Sequence, residues 1–209
     1  MIDLYTWRTP NGRKVSIMLE ECGLPYMVHR VDINNGGQYT PEFLAISPNN
    51  KIPAIIDQET GISLMESGAI LMYLAQKAGK FMPTEGPDYW RTMEWLMWQM
   101  GGAGPFLGQA HHFVKFHPAY SYYATERYRK EAERLYGVLD RRLAESPYMA
   151  GNSYTIADIA TWPWIARFEW QGVDFLKFPH LLRWYQELAD RPAVQRGYSV
   201  PFPFDIPMP

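Results

Sequence analysis

The chain has 209 residues with a formal net charge of -2, and 47% of them are hydrophobic and 20% charged. That length buries one large core or two modest ones, and the charge balance leaves no basic footprint for nucleic acid or an acidic membrane. The single cysteine, Cys22, excludes an internal disulfide and any all-cysteine metal site. No stretch approaches the length of a membrane span. The first residues, Met1 to Arg8, lack a basic segment followed by an apolar run, so no signal peptide is expected and the expected compartment is the cytoplasm.

Ile2–Tyr5 reads as a first strand, followed by a loop over Thr6–Gly12. The next helix shows Val15, Met18, Leu19 and Cys22 at i, i+3, i+4 and i+7, and Gly23 with Pro25 beyond it stops that helix. Tyr26–Val31 is a second strand, Asn34–Gly37 a flexible loop, and Thr40 caps a short helix with Pro41 in its first turn. Ile52–Asp57 is rich in β-branched residues, and Pro53 at its second position confines it to a strand start or an edge. A cis Ile52-Pro53 bond would turn the backbone groups of Ile52 into open space. After a turn at Gln58–Gly61 and a return strand at Ile62–Met65, Glu66-Ser67-Gly68 opens a helix over Ser67–Ala78 that Gly79 closes. Ser67 is the predicted N-cap. The order is βαβ, a helix, then ββα. A strand edge beside a helix N-terminus suits a small peptide that carries a carboxylate.

Phe81–Asp88 reads as a linker, so the expected division is an α/β domain over 1–80, a linker over 81–88 and an all-α domain over 89–209. Asp88 is the predicted cap of an aromatic-rich helix through Trp90, Trp95 and Trp98 that ends near Gly101-Gly102. Tyr120–Glu145 is a long amphipathic helix with Tyr128, Ala132, Leu135, Leu139 and Leu143 on its apolar face. Thr155 and Asp158 have capping-box spacing, with Asp in place of Glu or Gln. The helix they start is apolar on nearly every side and reads as the buried centre of the second domain, with a kink at Pro163. Helical pieces follow near Leu181–Ala189 and Ala193–Arg196. The tail from Pro201 to Pro209 is either packed down by its aromatics or disordered.

On residue type alone, Thr9 or Asn11 is a helix cap. The same hydroxyl and amide, beside the partial positive charge of a helix start, also suit a thiolate. Cys22 lies on the apolar face of its helix and reads as a small buried hydrophobe. Adjacent His111 and His112 point apart on a helix, with no carboxylate at ligand spacing, so no metal site is expected. The tryptophans read as core, and Gly101–Gly104 is no dinucleotide loop because a helix precedes it.

Three features in order, Ile52-Pro53 before a strand, Glu66-Ser67-Gly68-Ala69-Ile70 before a helix and Tyr154-Thr155-Ile156-Ala157-Asp158 before the central helix, resemble the cytosolic glutathione transferases over essentially the whole chain. That family pairs a thioredoxin-like N-terminal domain with an all-helical C-terminal one. Thr9-Pro10-Asn11-Gly12, Gly36-Gly37-Gln38, Ser47–Ala54, Trp98–Gly102, Gly108–Phe113 and Glu126-Arg127-Tyr128 resemble the bacterial Nu class and its fungal Ure-type relatives in particular, above all the disulfide-bond oxidoreductases. The resemblance implies glutathione as cosubstrate, no metal, thiol and disulfide small-molecule substrates, and a homodimer. It implies that Thr9 and Asn11 hold the glutathione sulfur as a thiolate in place of a protein cysteine. Glu66 and Ser67 would hold the γ-glutamyl end, Ile52 with Pro53 the cysteinyl backbone, and Gln38 and Lys51 the glycine carboxylate. Arg127 would meet the second half of an oxidised glutathione. Glutathione-dependent disulfide reduction with weak peroxidase activity is the expected function. Conjugation of glutathione to electrophiles and a non-catalytic regulatory module are the alternatives.

Overall fold

The computed structural model describes residues 1–209. In chain order the first elements are β1 (Ile2–Thr6), α1 (Pro10–Cys22), β2 (Tyr26–Arg30), a single 3₁₀ turn (Gly37–Tyr39) and α2 (Pro41–Ile46). They are followed by β3 (Ala54–Asp57), β4 (Ser63–Met65) and α3 (Ser67–Ala78). Helices then take over: α4 (Gly86–Trp98), a π-helical turn (Gln99–Ala103), α5 (Gly104–Ala110), a second π turn (His111–Phe116) and α6 (Tyr122–Glu145). The chain ends with α7 (Ile156–Ile165), α8 (Phe168–Gln171), a 3₁₀ turn (Phe175–Lys177), α9 (Pro179–Ala189), α10 (Pro192–Tyr198) and an irregular tail.

Two compact units result. One comprises Met1–Met82 with Asp190–Ile206, the other Pro83–Ala189 with Pro207–Pro209. The stretch 190–206, which sequence order groups with the helical domain, therefore packs with the α/β unit. The contacts give the reason. Arg191 and Arg196 of the α10 region pair with Glu21 and Glu20 of α1 at 2.7 and 2.6 Å, and Ser16 Oγ donates to the Gly197 carbonyl at 2.7 Å. A Cβ on Gly197 would come within 2.5 Å of Ile17 Cα, so only glycine lets the two helix backbones touch.

The first unit is built on a four-stranded sheet in the order β2-β1-β3-β4. β1 and β2 are parallel, while β3 runs antiparallel to both of its neighbours. Strand alternation puts Ile2 and Leu4 on one face and Tyr5 on the other. Tyr5 meets Phe43 of α2 at a centroid distance of 6.4 Å, beside Val31 and Ala54, and α1 and α3 pack against each other. The expected βαβ, helix, ββα order is present. Gly23, at φ 68°, closes α1 with its N–H on the Glu20 carbonyl, and Leu24 N–H returns to Leu19, the double bond of a left-handed helix end. The tail is packed down: Phe202 meets Trp7 edge-on at 5.2 Å and Phe204 lies 6.2 Å from Tyr198.

In the helical unit every residue of α7 is buried. Asp158 and Thr155 form the expected capping box, and Asp158 Oδ1 also accepts from Met149 N–H at 3.0 Å and Trp184 Nε1 at 2.9 Å. Pro163 lies inside α7. Three local expectations need correction. Glu85, not Asp88, occupies the cap position of α4, because Pro87, with its φ already helical, lets the helix begin earlier. That helix does not end at Gly101-Gly102 but widens into the π turn and continues as α5. The long helix starts at Tyr122, with the Ser121 hydroxyl accepting from Ala124 N–H at 3.2 Å.

Candidate active site

Within the α/β unit, the end of β1 and the start of α1 carry Thr9 and Asn11. Thr9 occupies the cap position, and Gly12 N–H donates to its Oγ1 at 3.1 Å. A hydroxyl that accepts one bond still has a proton to donate, so capping and ligand binding do not compete for the same group. The turn is tight: a Cβ on Gly12 would fall 2.4 Å from both Thr6 Oγ1 and the Trp7 carbonyl. No acidic residue occupies the first turn of α1, which keeps the helix end positive toward an anion.

The Ile52–Pro53 bond is cis. The predicted strand over Ile52–Asp57 begins two residues later, because the β3 ladder starts at Ala54 and proline has no N–H to add to it. Ile52 thus presents its backbone groups ahead of the sheet rather than within it. The Ser47 hydroxyl donates to the Lys51 carbonyl at 2.9 Å and ties down the approach to this segment, with the Lys51 side chain exposed. Gln38 lies in the 3₁₀ turn between β2 and α2, and its Oε1 is buried without a partner in the protein. That oxygen can only accept, so a carboxylate beside Gln38 would have to be met by its Nε2 donor.

At the far end of the β-hairpin, Glu66 has φ 69° and ψ 112°, a backbone conformation that costs a non-glycine residue about 1–3 kcal/mol and clusters at functional positions. The helix cap is therefore Glu66, whose carbonyl accepts from Ile70 N–H at 2.9 Å, and not Ser67 as expected. Ser67 is the first helical residue, and its Oγ accepts from Lys14 Nζ at 3.3 Å. Ser67 is buried and Glu66 exposed.

Lys14 was not among the residues singled out from sequence. Only 1% of its surface is exposed, and burial pushes its ammonium down to about 7 against the opposing pull of the Glu66 carboxylate. The signal available beforehand was a pair of basic residues, Arg13 and Lys14, set inside a helix face otherwise read as apolar. Cys22 is buried, as its place on α1 implied, and burial pushes its thiol up to about 11. No group of three His, Cys, Asp or Glu side chains is arranged to hold a metal ion.

Arg127 belongs to the helical unit. There it lines an open cavity of about 500 Å³ with Phe106, Tyr123, Tyr128, Lys130 and Arg134. The carboxylates on either side of it are committed elsewhere, Glu126 to Arg129 at 2.8 Å and Glu131 to Arg134 at 2.7 Å. His111, by contrast, is a packing residue. It stacks on Trp164 at 5.6 Å and bonds Gln171 Nε2 at 3.1 Å, and burial pushes its pKa down to about 4.

The N-terminal domain model of glutathione S-transferase matches residues 1–76 and the C-terminal domain model matches residues 104–192. The chain is 50% identical over 198 residues to disulfide-bond oxidoreductase YfcG of Escherichia coli, covering 92% of each protein. It superposes with a TM-score of 0.90 and 49% identity on a glutathione transferase family member from Pseudomonas fluorescens, solved with two glutathione molecules bound, over 96% of this chain and 93% of that one. A Pseudomonas putida glutathione transferase, solved with one glutathione disulfide bound per subunit, gives a TM-score of 0.90 at 43% identity, over 96% of this chain and 91% of that one. An α/β unit with its βαβ, ββα order, a helical unit centred on a capped and wholly buried α7, and matches across both halves lead to one conclusion: the chain belongs to the glutathione S-transferase family.

Proposed function

We propose that this enzyme reduces disulfides with glutathione, whose sulfur is the reactive one. The observation that carries the reading is the state of the only protein thiol: Cys22 is buried and its pKa is pushed up to about 11, so it offers no thiolate at neutral pH. The helix start at Thr9 and Asn11 is instead built to receive a thiolate from outside. In the reaction, the bound thiolate attacks one sulfur of the substrate disulfide. A new sulfur–sulfur bond to glutathione forms, the old one breaks, and the departing thiolate takes a proton from water. A second glutathione gives up its thiol proton and attacks the mixed disulfide, releasing the second substrate thiol and oxidised glutathione. Two glutathione thiols supply the two electrons.

The chain's own groups divide the binding. Glu66 pairs with the γ-glutamyl ammonium, and the Ser67 hydroxyl with the first amides of α3 takes the α-carboxylate. Ile52, set by Pro53, bonds the cysteinyl backbone in the manner of an added strand. Gln38 and Lys51 meet the glycine carboxylate, Thr9 and Asn11 donate to the sulfur, and Arg127 receives the second half of the oxidised product. The relatives solved with two glutathione molecules or with one glutathione disulfide support a site large enough for both halves. We further place the chain in the bacterial Nu class, acting as a homodimer in the cytoplasm, on the matching segments noted above. Light scattering tests the dimer.

The decisive assay is reduction of a small disulfide by glutathione, run beside conjugation of glutathione to an aryl halide. Asn11→Ala and Thr9→Ala should lower disulfide reduction, while Cys22→Ser retains it. A folded Cys22→Ser protein without turnover would overturn the reading.

A further inference from the structure

The sheet of the α/β unit ends at β2, which pairs only with β1. Ile2 N–H donates to the Pro25 carbonyl at 3.0 Å, and Val31 N–H to the Thr6 carbonyl at 3.0 Å. Odd-numbered residues of this stretch therefore turn their backbone groups toward β1, and alternation sends those of Tyr26, Val28 and Arg30 outward. None of those outward N–H and C=O groups is bonded within the chain. Exposed edges are ordinarily blunted by proline, lysine or a bulge. β2 has none of these: it reads Tyr-Met-Val-His-Arg, its register with β1 is unbroken from Tyr26 to Arg30, and Met27 is 49% exposed. Beside this edge lies an open cavity of about 670 Å³, lined by Val28, His29 and Arg30 of β2 and by Ser199, Val200 and Pro201 of the chain after α10.

We propose that the β2 edge is a docking groove for an extended, acidic polypeptide segment that flanks the disulfide to be reduced, which makes a peptide disulfide the preferred substrate. The inference rests on the disulfide-reducing function proposed above. An added strand takes main-chain hydrogen bonds from Val28 and Arg30, and each of its residues shares a face with the β2 residue opposite. Arg30 sets the charge. Its guanidinium lies 4.3 Å over the Phe202 ring and Nη2 donates to the Pro201 carbonyl at 3.4 Å, yet no carboxylate of the chain pairs with it. A guanidinium held in place without an anion suits an Asp or Glu of the ligand. His29, on the other face, is already engaged, with Nε2 on Asp3 Oδ1 at 2.9 Å and its ring stacked on Tyr5 at 4.6 Å. A second copy of the chain is the poorer occupant, because β2 contains no acid and would bring Arg30 no carboxylate.

The groove is also within reach of the chemistry. β1 and β2 run parallel and are level at Thr6 and Arg30, so the Arg30 end of the groove is the end at which β1 leads through Trp7 and Arg8 to Thr9. Neighbouring strands lie about 4.8 Å apart, which puts an added strand about 10 Å from β1. Three or four further residues span that distance at about 3.3 Å each. The exchange itself is unchanged, with two glutathione thiols supplying the electrons.

The test compares kcat/KM for two disulfides at saturating glutathione. One is a peptide of alternating Glu and Val, joined through a short serine linker to a cysteine in disulfide with 2-mercaptoethanol. The reference is the same mixed disulfide of N-acetylcysteine amide. The peptide should react at least about tenfold more efficiently, the range of one or two added hydrogen bonds. Two further peptides carry N-methyl groups, one on its Glu residues and one on its Val residues. Only alternate amides face an added edge, and the side-chain pattern opposes a one-residue slip, so one methylated peptide should lose the gain and the other keep it. Lysine in place of Glu should also lose it. Equal efficiency with and without the flank, or equal loss from both methylated peptides, overturns the proposal. Val28→Pro removes an outward N–H and no ladder bond, and should bring the peptide down to the reference. A wild-type dimer that Val28→Pro dissociates in light scattering would assign the edge to a second copy and overturn the proposal. Reference turnover without a peptide gain overturns this inference alone. Absence of any reference turnover by the wild type overturns the disulfide-reducing reading and this inference with it.

Discussion

Thr9→Ala separates the two roles that one hydroxyl plays. The side chain accepts from Gly12 N–H at 3.1 Å as the cap of α1, and in the proposed reaction it donates to the glutathione sulfur. Losing the cap costs about 1 kcal/mol, which lowers Tm by about 2–4 °C in a protein of this size. Losing one hydrogen bond to a thiolate costs about 1.5–3 kcal/mol. At about 1.36 kcal/mol per unit, that raises the pKa of the bound thiol by about 1–2 units. The first effect is read by thermal melting, the second by titrating the ultraviolet absorbance of the thiolate in the enzyme–glutathione complex. Thr9→Ser keeps both groups and should behave as wild type in both assays. A Thr9→Ala protein whose Tm falls while the bound thiol titrates unchanged would refute the second role and reduce Thr9 to a helix cap.

Asp158 is fully buried and accepts from Met149 N–H, Thr155 N–H, the Thr155 hydroxyl and Trp184 Nε1 at 2.9–3.1 Å. Asp158→Ala leaves those donors without an acceptor and should cost about 3–5 kcal/mol in chemical denaturation, so a loss below about 1 kcal/mol would contradict the account. Burial alone would raise the Asp57 carboxyl, but hydrogen bonds from Lys77 at 2.8 Å and Tyr73 at 2.5 Å hold it down at about 2. A depressed carboxyl stabilises the fold above its unfolded pKa of about 3.9, and that contribution is lost as pH falls from about 5 toward 2. Asp57→Asn should flatten this acid limb of the stability profile. In the tail, Arg30 lies 4.3 Å over Phe202 and Arg8 lies 4.6 Å over Phe204, while Phe202 also abuts Trp7, two residues before Thr9. The double substitution Phe202→Ala and Phe204→Ala removes about 1–2 kcal/mol of such contacts and should raise KM for glutathione by loosening the Trp7–Arg8 loop. An unchanged KM would show that the tail only packs.

The parts of the protein that depend on neighbours in sequence were legible from the residues alone. Gly23 after Cys22, Thr40 before Pro41, and Thr155 with Asp158 each carry their cap chemistry within a few positions, so the end of α1 and the helices α2 and α7 could be placed without a structure, whereas α1 starts at Pro10, inside the stretch read as a loop through Gly12. Periodicity likewise put Cys22 on an inner face and α7 in the middle of its unit. Ser67 shows where such reading fails. A serine before a helix is an ordinary cap, yet here Glu66 takes the cap position and the hydroxyl is engaged by Lys14, 53 positions earlier.

Sequence therefore determined which segments become helix or strand and which residue types stand at the start of α1 and α3, because propensity, capping and turn chemistry act over one or two turns of chain. Only the tertiary structure decided that Lys14 is enclosed at the head of α3, that 190–206 packs on α1 rather than with the helices before it, and how far burial pushes the Cys22 thiol up. Burial is set by residues far apart in the chain. The desolvation that shifts a lysine or a cysteine exists only once those distant segments have closed around it.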